Sequence, residues 1–381
     1  MFFSTFIALY ILINAYIYFR GFSALSAEGR WVIPLKLAFI TLVLSFPVMH
    51  SLEDSKYGAV FGIISVIGSF WIPAMIYFFL LIFLSDLVLL FDYFVPIIPA
   101  GLKRNRVILK RKAFFGSIAA VSLIVFFGWV NTLFIRVENI EVDLAKLPKA
   151  FNPTTVVFAA DFHIGANTQV NRVKDYVDAI NAQNPDIILI GGDLVEGSID
   201  GLGSAAEALA GLRARLGVYA VLGNHEYHGG ADDTEAFMRS AGIVTLRNET
   251  VTLAGLVNLV GLEDPRSMGH EENNKTSAPL FEILSKRDPL LPTILIFHRP
   301  INFEEYAASG VDLTLSGHSH HGQFFPLTLI TDLVYPVSYG YERIGPMGAY
   351  VTSGIGTWGP PVRILTHPEI VKITLVNRKI D

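Results

Sequence analysis

Hydrophobic positions divide this chain into two unlike parts. Before residue 136 they form long unbroken runs, Phe2–Phe19, Leu37–Leu52, Gly58–Leu84 and Ala113–Ile135, none of which carries a formal charge. Each approaches the roughly 20 residues a helix needs to cross a bilayer. The pattern predicts about four membrane helices. The stretch Asp86–Ala100 stays apolar and reads as an extension of the third run, an interfacial helix or a fifth span. Phe2–Phe19 has no basic leader and precedes further spans, so it reads as a membrane helix rather than a signal peptide.

Beyond residue 152 the apolar runs are short and change period. Thr155–Ala160, Asp186–Ile190 and Val218–Leu222 read as buried strands, and so do Leu256–Gly261, Thr293–Phe297, Val311–Leu315, Ala349–Thr352 and Ile370–Val376. Val170, Val173, Val177 and Ile180 fall on one helical face within Gln169–Ala182, and further helices are predicted over Gly203–Leu212 and Asp232–Ala241. Strands alternating with helices imply a layered α/β domain, partly antiparallel where the later strands follow one another directly. The division is a transmembrane region at 1–135, a mixed-charge link at 136–152 with prolines at 148 and 153, and an α/β domain at 153–381.

Composition sharpens this picture. The 381 residues are 52% hydrophobic and only 17% charged, an oily balance concentrated in the first part. A net charge of −5 argues against a general nucleic-acid-binding surface. The absence of cysteine excludes disulfides, thiolate metal sites and thiol catalysis, and leaves the compartment open. Lys103, Arg104, Arg106, Lys110, Arg111 and Lys112 form a basic cluster with no acid among them. Arg20, Arg30 and Lys36 outweigh Glu28 after the first run, whereas Glu53 and Asp54 outweigh Lys56 after the second. The positive-inside rule then puts the N-terminus and the α/β domain outside and the basic loops in the cytoplasm. Binding of the cluster to anionic headgroups would place it on the same face. Asp86 and Asp92 mark either a polar pathway or the membrane interface at the end of the third run.

Five polar motifs punctuate the second part: Asp161-Phe162-His163, Gly192-Asp193, Gly223-Asn224-His225-Glu226, Phe297-His298 and Gly317-His318-Ser319-His320. Each follows a predicted strand, so the loops can converge at the carboxyl ends of a sheet. Asp161, Asp193 or Asn224 alone is more often a turn or cap residue, but together the motifs offer two aspartates, an asparagine and four histidines as ligands, with His225 left over. Oxygen and imidazole donors without thiolate suit two divalent ions of Mn, Fe or Zn. Asp193 is the candidate bridging carboxylate, because Gly191-Gly192 lets the backbone turn tightly before it. Asp161 and His163, two apart, would share one side of an extended segment. His318 and His320 have the same spacing, which suits one histidine per ion or both on one. His225 is the candidate acid for a leaving oxygen. Glu226 reads as an orienting carboxylate, and His228 and His321 as neighbours rather than ligands. Gly354-Ile355-Gly356 is a weak phosphate-loop signal, Trp358 a rim residue, and Arg363 a candidate substrate-phosphate contact.

These motifs resemble the calcineurin-like metallophosphoesterase superfamily, and the tail from Gly317 to Arg363 resembles its membrane-associated YkuE-like or YaeI-like branch over residues 150–376. The resemblance implies a four-layer α/β/β/α sandwich with two mixed sheets. It implies Asp161, His163 and His320 on one metal, Asn224, His298 and His318 on the other, Asp193 between them, and His225 as the catalytic histidine. Ser319 and His321 replace the branch's usual Thr and Gly, and His321 adds bulk beside the site.

The function this points to is a membrane-anchored phosphoesterase that cleaves a phosphoester or pyrophosphate by attack of a hydroxide shared between two metals. A lipid-linked or envelope-derived substrate suits the tether. Two alternatives are a UDP-diacylglucosamine-type pyrophosphatase of lipid A synthesis, whose cytoplasmic substrate conflicts with an outward domain, and a non-catalytic membrane sensor. A small transporter would need polar residues inside the spans, and these are scarce.

Overall fold

The computed structural model describes residues 2–25, 30–52, 62–165, 168–264 and 280–378. The acidic loop Glu53–Lys56, together with Glu28 and the start of the third apolar run, lies outside them. The chain divides into two units, Met1–Val130 with Gly359–Ile364, and Asn131–Trp358 with Leu365–Asp381.

The first unit is helical: α1 (Phe2–Phe22), α2 (Val32–Leu52), α3 (Gly62–Phe94), the short α4 (Ala100–Arg104) and α5 (Arg106–Asn131). Apolar residues surround the long helices on every face, as lipid requires of a segment whose polar backbone must be satisfied internally. Thr5–Phe22, Val66–Phe94 and Val107–Asn131 are long and apolar enough to cross a membrane, and Val32–Val48 is a shorter apolar helix. The apolar stretch after Asp86 is therefore an extension of α3 as far as Phe94. Tyr10, Ile17, Trp71 and Met75 form the buried centre. Buried Asn14 is satisfied there: its amide donates to Tyr10 O (2.8 Å) and Met75 Sδ (3.0 Å), and Trp71 Nε1 donates to its Oδ1 (3.2 Å). Asp86 pairs with Arg20 and accepts from Tyr16, while Asp92 accepts the Ile97 and Ile98 N–H groups and pairs with Lys103 at 2.7 Å. Both carboxylates thus tie helix ends together.

The loop Gly359–Ile364 packs on α5. The Arg363 N–H donates to Gly128 O at 2.9 Å. A Cβ at position 128 would lie 2.6 Å from the Ile364 side chain and 2.7 Å from that of Val362, so a larger residue there would force those side chains to shift.

The second unit contains two six-stranded mixed sheets. The first comprises β1 (Arg136–Asp143), β2 (Thr154–Ala159), β3 (Ile187–Ile190), β4 (Val218–Ala220), β5 (Val244–Thr245) and, late in the chain, β12 (Glu369–Val376), in the order β1-β12-β2-β3-β4-β5. The second comprises β6 (Glu249–Leu253), β7 (Val257–Gly261), β8 (Thr293–Ile296), β9 (Leu313–Ser316), β10 (Gly340–Ile344) and β11 (Met347–Val351), in the order β10-β11-β9-β8-β7-β6. β2 to β5 run parallel, as do β7, β8, β9 and β11.

Three apolar clusters show the layering. Val156, Phe158, Ile187, Leu189 and Val371 of the first sheet meet Leu259, Ile294, Ile296 and Leu315 of the second. The other face of the first sheet, with Val157 and Ile188, is covered by Val173, Val177 and Ile180 of α6 (Val170–Asn181), by α7 (Gly203–Leu209), and by Phe237 and Met238 of α9 (Ala231–Ser240). The outer face of the second sheet buries Val260 and Leu295 against Ile283 and Leu284 of α10 (Leu280–Leu284) and Phe303 and Tyr306 of α11 (Phe303–Ala308). Helix, sheet, sheet and helix therefore stack in that order. The first eight residues of the mixed-charge stretch 136–152 are not a link but strand β1, paired along its whole length with β12. Its apolar positions, Val137, Ile140 and Val142, are diluted by charges that protect an edge strand from further pairing.

Candidate metal centre

Five loops carry the polar motifs, and each leaves the carboxyl end of a parallel strand: β2 before Asp161, β3 before Asp193, β4 before Asn224, β8 before His298 and β9 before His318. Asn224 opens a short helix, α8 (Asn224–Gly229). The loops do not stay extended. Asp161, His163, Asp193, His318 and His320 all have φ between 47° and 68°. The expectation of an extended Asp161–His163 segment is therefore corrected: left-handed backbone, at about 1–3 kcal/mol per residue, turns these side chains inward. Close approach makes two glycines necessary. A Cβ on Gly223 would lie 2.2 Å from Asp193 Oδ1, and one on Gly192 (φ +91°) 2.7 Å from His298 Nδ1.

Six of the seven predicted ligands fall into two linked clusters. Asp161, His163 and His320 form the first; His163 Nε2 faces His320 Nε2 at 3.0 Å, and His320 Nε2 is 3.7 Å from Asp161 Oδ1. Asp193, His298 and His318 form the second; His298 Nε2 lies 3.0 Å from Asp193 Oδ2 and 3.2 Å from His318 Nδ1. His318 and His320 thus serve different clusters. Asp193 Oδ2 is also 3.9 Å from His163 Nε2, which joins the two. His225 meets Asp193 and His163 in a third grouping, its Nε2 4.0 Å from Asp193 Oδ2.

This arrangement fits metal ions. Imidazole lone pairs aimed at each other repel unless a proton or cation lies between them. The Nδ1 of His298 donates to Gly191 O at 2.8 Å and that of His163 is engaged by Glu196, so in the neutral ring each Nε2 is the free donor atom. Asn224 Oδ1 is buried and has no hydrogen-bond partner among the described residues, an orphan that a cation would satisfy.

Comparison with known proteins agrees with this geometry. The family profile described as calcineurin-like phosphoesterase matches residues 154–322. An uncharacterized metallophosphoesterase of Aquifex aeolicus is 34% identical over 255 residues, covering 66% of this chain and 96% of that protein. The chain belongs to the calcineurin-like metallophosphoesterase family. A transmembrane protein with metallophosphoesterase domain from Danio rerio is 31% identical, covering 63% of this chain and 57% of its own. An uncharacterized metallophosphoesterase of Campylobacter jejuni is 27% identical, covering 97% of this chain and 96% of its own. This metallophosphoesterase is accordingly a hydrolase of phosphoester bonds, and among its described residues three helices are long and apolar enough to cross a membrane.

Two carboxylates organise the loops of the metallophosphoesterase site. Glu226 is buried and accepts the N–H groups of Gly223 (2.6 Å), Asp193 (3.0 Å) and Val195 (3.0 Å), so it holds the β3 and β4 loops in register. Burial and the charge of Asp193 push Glu226 up to about 6, against the pull of its N–H donors. Glu196 was not singled out by sequence reasoning, although it lies three residues after Asp193. It engages His163 Nδ1 and stands 3.1 Å from His225 Nδ1, so one carboxylate orients a candidate ligand and the candidate acid together. Burial raises Glu196, but hydrogen bonds to both imidazoles prevail and hold it down at about 2.

The electrostatics favour cations. Burial opposes charge on Asp193, yet the field and hydrogen bond of His298 hold it well below the usual carboxylate range. Burial likewise lowers His298, but Asp193 lifts it to about 10. Burial and the neighbouring His298 depress His318 to about 3. The potential that keeps a proton on His298 is the potential that would draw a divalent ion there.

Other predicted residues have plainer places. His228 is a ring neighbour of His225 at 5.7 Å. His321 stacks on Tyr339 at 4.6 Å. Trp358 lies edge-on to His225 at 6.4 Å, as a rim residue would. The Gly356 and Ile355 N–H groups donate to Asp161 O and Ala160 O, so they brace the β2 loop rather than line a phosphate cradle. Arg363 is buried in the loop that packs on α5, and no step of the chemistry below is assigned to it.

Proposed function

We propose that this protein is a membrane-anchored, metal-dependent phosphoesterase holding two divalent cations of Mn, Fe or Zn. Asp161, His163 and His320 hold one, Asn224, His298 and His318 the other, and Asp193 both. The observation that carries this reading is the pair of facing-imidazole clusters joined through one Asp193 oxygen. When bound, such ions supply Lewis acidity toward a phosphoryl group and lower the pKa of a water. The protein supplies the rest. Glu196 fixes His225 through Nδ1, leaving Nε2 toward the clusters. Burial pulls His225 down, but Glu196 and Asp193 together raise it, which favours the protonated ring that donates to a leaving oxygen. The substrate is a phosphomonoester, phosphodiester or pyrophosphate, with a lipid-linked one favoured by the anchor.

Residues 1–135 serve as anchor and 153–381 as the catalytic domain in this reading, and the domain faces away from the cytoplasm. The helix ends support that side. Arg20 pairs with Asp86, Lys36 lies over the Phe22 ring at 5.9 Å, and Phe22 packs on Phe114 at 6.0 Å. The ends of α1 and α3 and the starts of α2 and α5 therefore share one basic end, the cytoplasmic one by the positive-inside rule. Alkaline phosphatase fused after residue 381 should be active and a green fluorescent protein fusion dark; the reverse pattern places the domain inside.

Purified full-length protein loaded with Mn²⁺ should carry two ions per chain and hydrolyse bis(p-nitrophenyl) phosphate. Folded protein that takes up metal yet hydrolyses no phosphoester under any loading would defeat the enzyme reading and favour a sensor.

A further inference from the structure

We infer that helix α12 (Leu327–Val334) lies in the membrane surface, and that the metal centre acts on phosphorylated amphiphiles presented by the bilayer. The second half of this inference rests on the phosphoesterase reading; the first does not.

The helix has an apolar face that no described residue of its domain covers. Leu329, Ile330, Leu333 and Val334 are all exposed, Leu333 at 88%, while Thr328 is buried. Positions i, i+1, i+4 and i+5 form one face of a helix. Phe325, Trp358 and Leu365 add further exposed apolar surface, Leu365 at 81%. Gln323 gathers these residues: its side-chain amide exchanges hydrogen bonds with the Trp358 backbone (2.8 and 3.1 Å), and its carbonyl accepts from Thr366 next to Leu365. A patch of this kind is uncommon on a soluble surface and marks a partner or a membrane.

Both ends of α12 are tied to the metal centre. Before the helix, the Gln323 N–H donates to His320 O at 2.9 Å. After it, Tyr335 stacks edge-on to His318 at 6.2 Å, and Ser319 Oγ donates to Ser338 O at 2.6 Å. Trp358, in the same patch, flanks His225. The apolar face and the candidate ligands are therefore parts of one rim.

The chain itself identifies the occupant. Among the described residues it carries three helices able to span a membrane, and only Thr132–Ile135 separate the last of them from β1, a reach of about 14 Å. Trp358 and Leu365 are the residues on either side of the loop that packs against Gly128 of α5. A lipid bilayer is thus the apolar phase to which this domain is tethered. The helix contains no Lys or Arg, so its attachment comes from apolar burial rather than attraction to anionic headgroups. A substrate reaching this rim keeps its acyl or prenyl part in the lipid and presents its phosphoryl group to the site.

The chain has no cysteine, so a single introduced thiol reports cleanly. Full-length Leu333→Cys and, as an aqueous control, Lys174→Cys on α6 are labelled with a nitroxide in phosphatidylethanolamine–phosphatidylglycerol nanodiscs. The Leu333 label should be relaxed by oxygen and shielded from a water-soluble nickel chelate, with the reverse at Lys174. A Leu333 label as nickel-accessible as the control overturns the inference. So does one shielded from both agents, the signature of a second copy covering the helix.

The substrate arm compares dodecyl and methyl p-nitrophenyl phosphate, which share a scissile bond, on Mn²⁺-loaded protein in nanodiscs. I330Q/L333Q should lower kcat/KM for the dodecyl ester about tenfold, the scale of one or two apolar side chains withdrawn from lipid, and leave the methyl ester unchanged within about twofold. Equal effects on both esters, or none on the dodecyl ester, overturn the amphiphile assignment. Wild-type protein inert toward both esters refutes the phosphoesterase reading, and the amphiphile assignment with it, while the nitroxide result still decides the placement of α12.

Discussion

Asp193→Asn is expected to abolish turnover and to reduce metal content at both proposed sites. The aspartate approaches imidazoles of both clusters, with Oδ2 at 3.0 Å from His298 Nε2 and 3.9 Å from His163 Nε2. Asparagine keeps the shape but replaces an anionic oxygen with an amide, so mutual repulsion between two cations would go uncompensated. The expected loss is at least about 10³-fold in kcat/KM, or roughly 4 kcal/mol at the barrier. The same side chain accepts the His225 N–H at 2.9 Å through Oδ1, so the loop after β4 needs a fold control. Metal content by mass spectrometry, alongside thermal unfolding, separates metal loss from collapse. A folded Asp193→Asn protein that retains two ions and full activity would sink the bridging assignment.

His225→Ala should have a different signature: metal retained, rate lost by roughly 10²–10⁴-fold, the scale of a removed general acid. His225 stands outside both three-residue clusters and is held by Glu196 from behind. Its proximity to Asp193 and His163 gives it a competing role as a ligand. The two roles differ in what is lost, so equal metal loss in His225→Ala and Asp193→Asn would refute the acid assignment. Substrates with better leaving groups should narrow the His225→Ala defect, because a phenolate that departs readily needs little protonation. A defect independent of the leaving group would point to positioning instead.

The two substitutions probe parts of the centre that were unequally legible in sequence. Asp161, His163, Asp193, Asn224, His298, His318 and His320 were legible as candidate ligands because each follows a short apolar strand, and strand ends converge in an α/β domain. Glu196 was not, since a glutamate three residues along a loop has no local feature separating it from a surface carboxylate. Its significance lies in reaching, from the loop after β3, both His163 on the loop after β2 and His225 on the loop after β4. Strand β1 was hidden for the opposite reason, because edge-strand charges broke the alternation by which strands are recognised. The apolar face of α12 is a third case: eight residues reading Leu-Thr-Leu-Ile-Thr-Asp-Leu-Val suit a buried strand or helix equally well, and only the fold leaves that face uncovered.

Taken by itself, the chain's order of residues determined that its first part is apolar enough to span membranes and its second part layers helices on sheets. It also determined which donor atoms are available for metal, because these properties follow from local periodicity and residue chemistry. Residue spacing left open which histidine faces which, and the tertiary structure decided it in the sense the family resemblance implied: His163 with His320, and His298 with His318, although His318 and His320 are two residues apart. Left-handed backbone at both positions sends neighbouring side chains to different partners. Such pairing is a property of loops meeting in space, where spacing along the chain carries no information about direction.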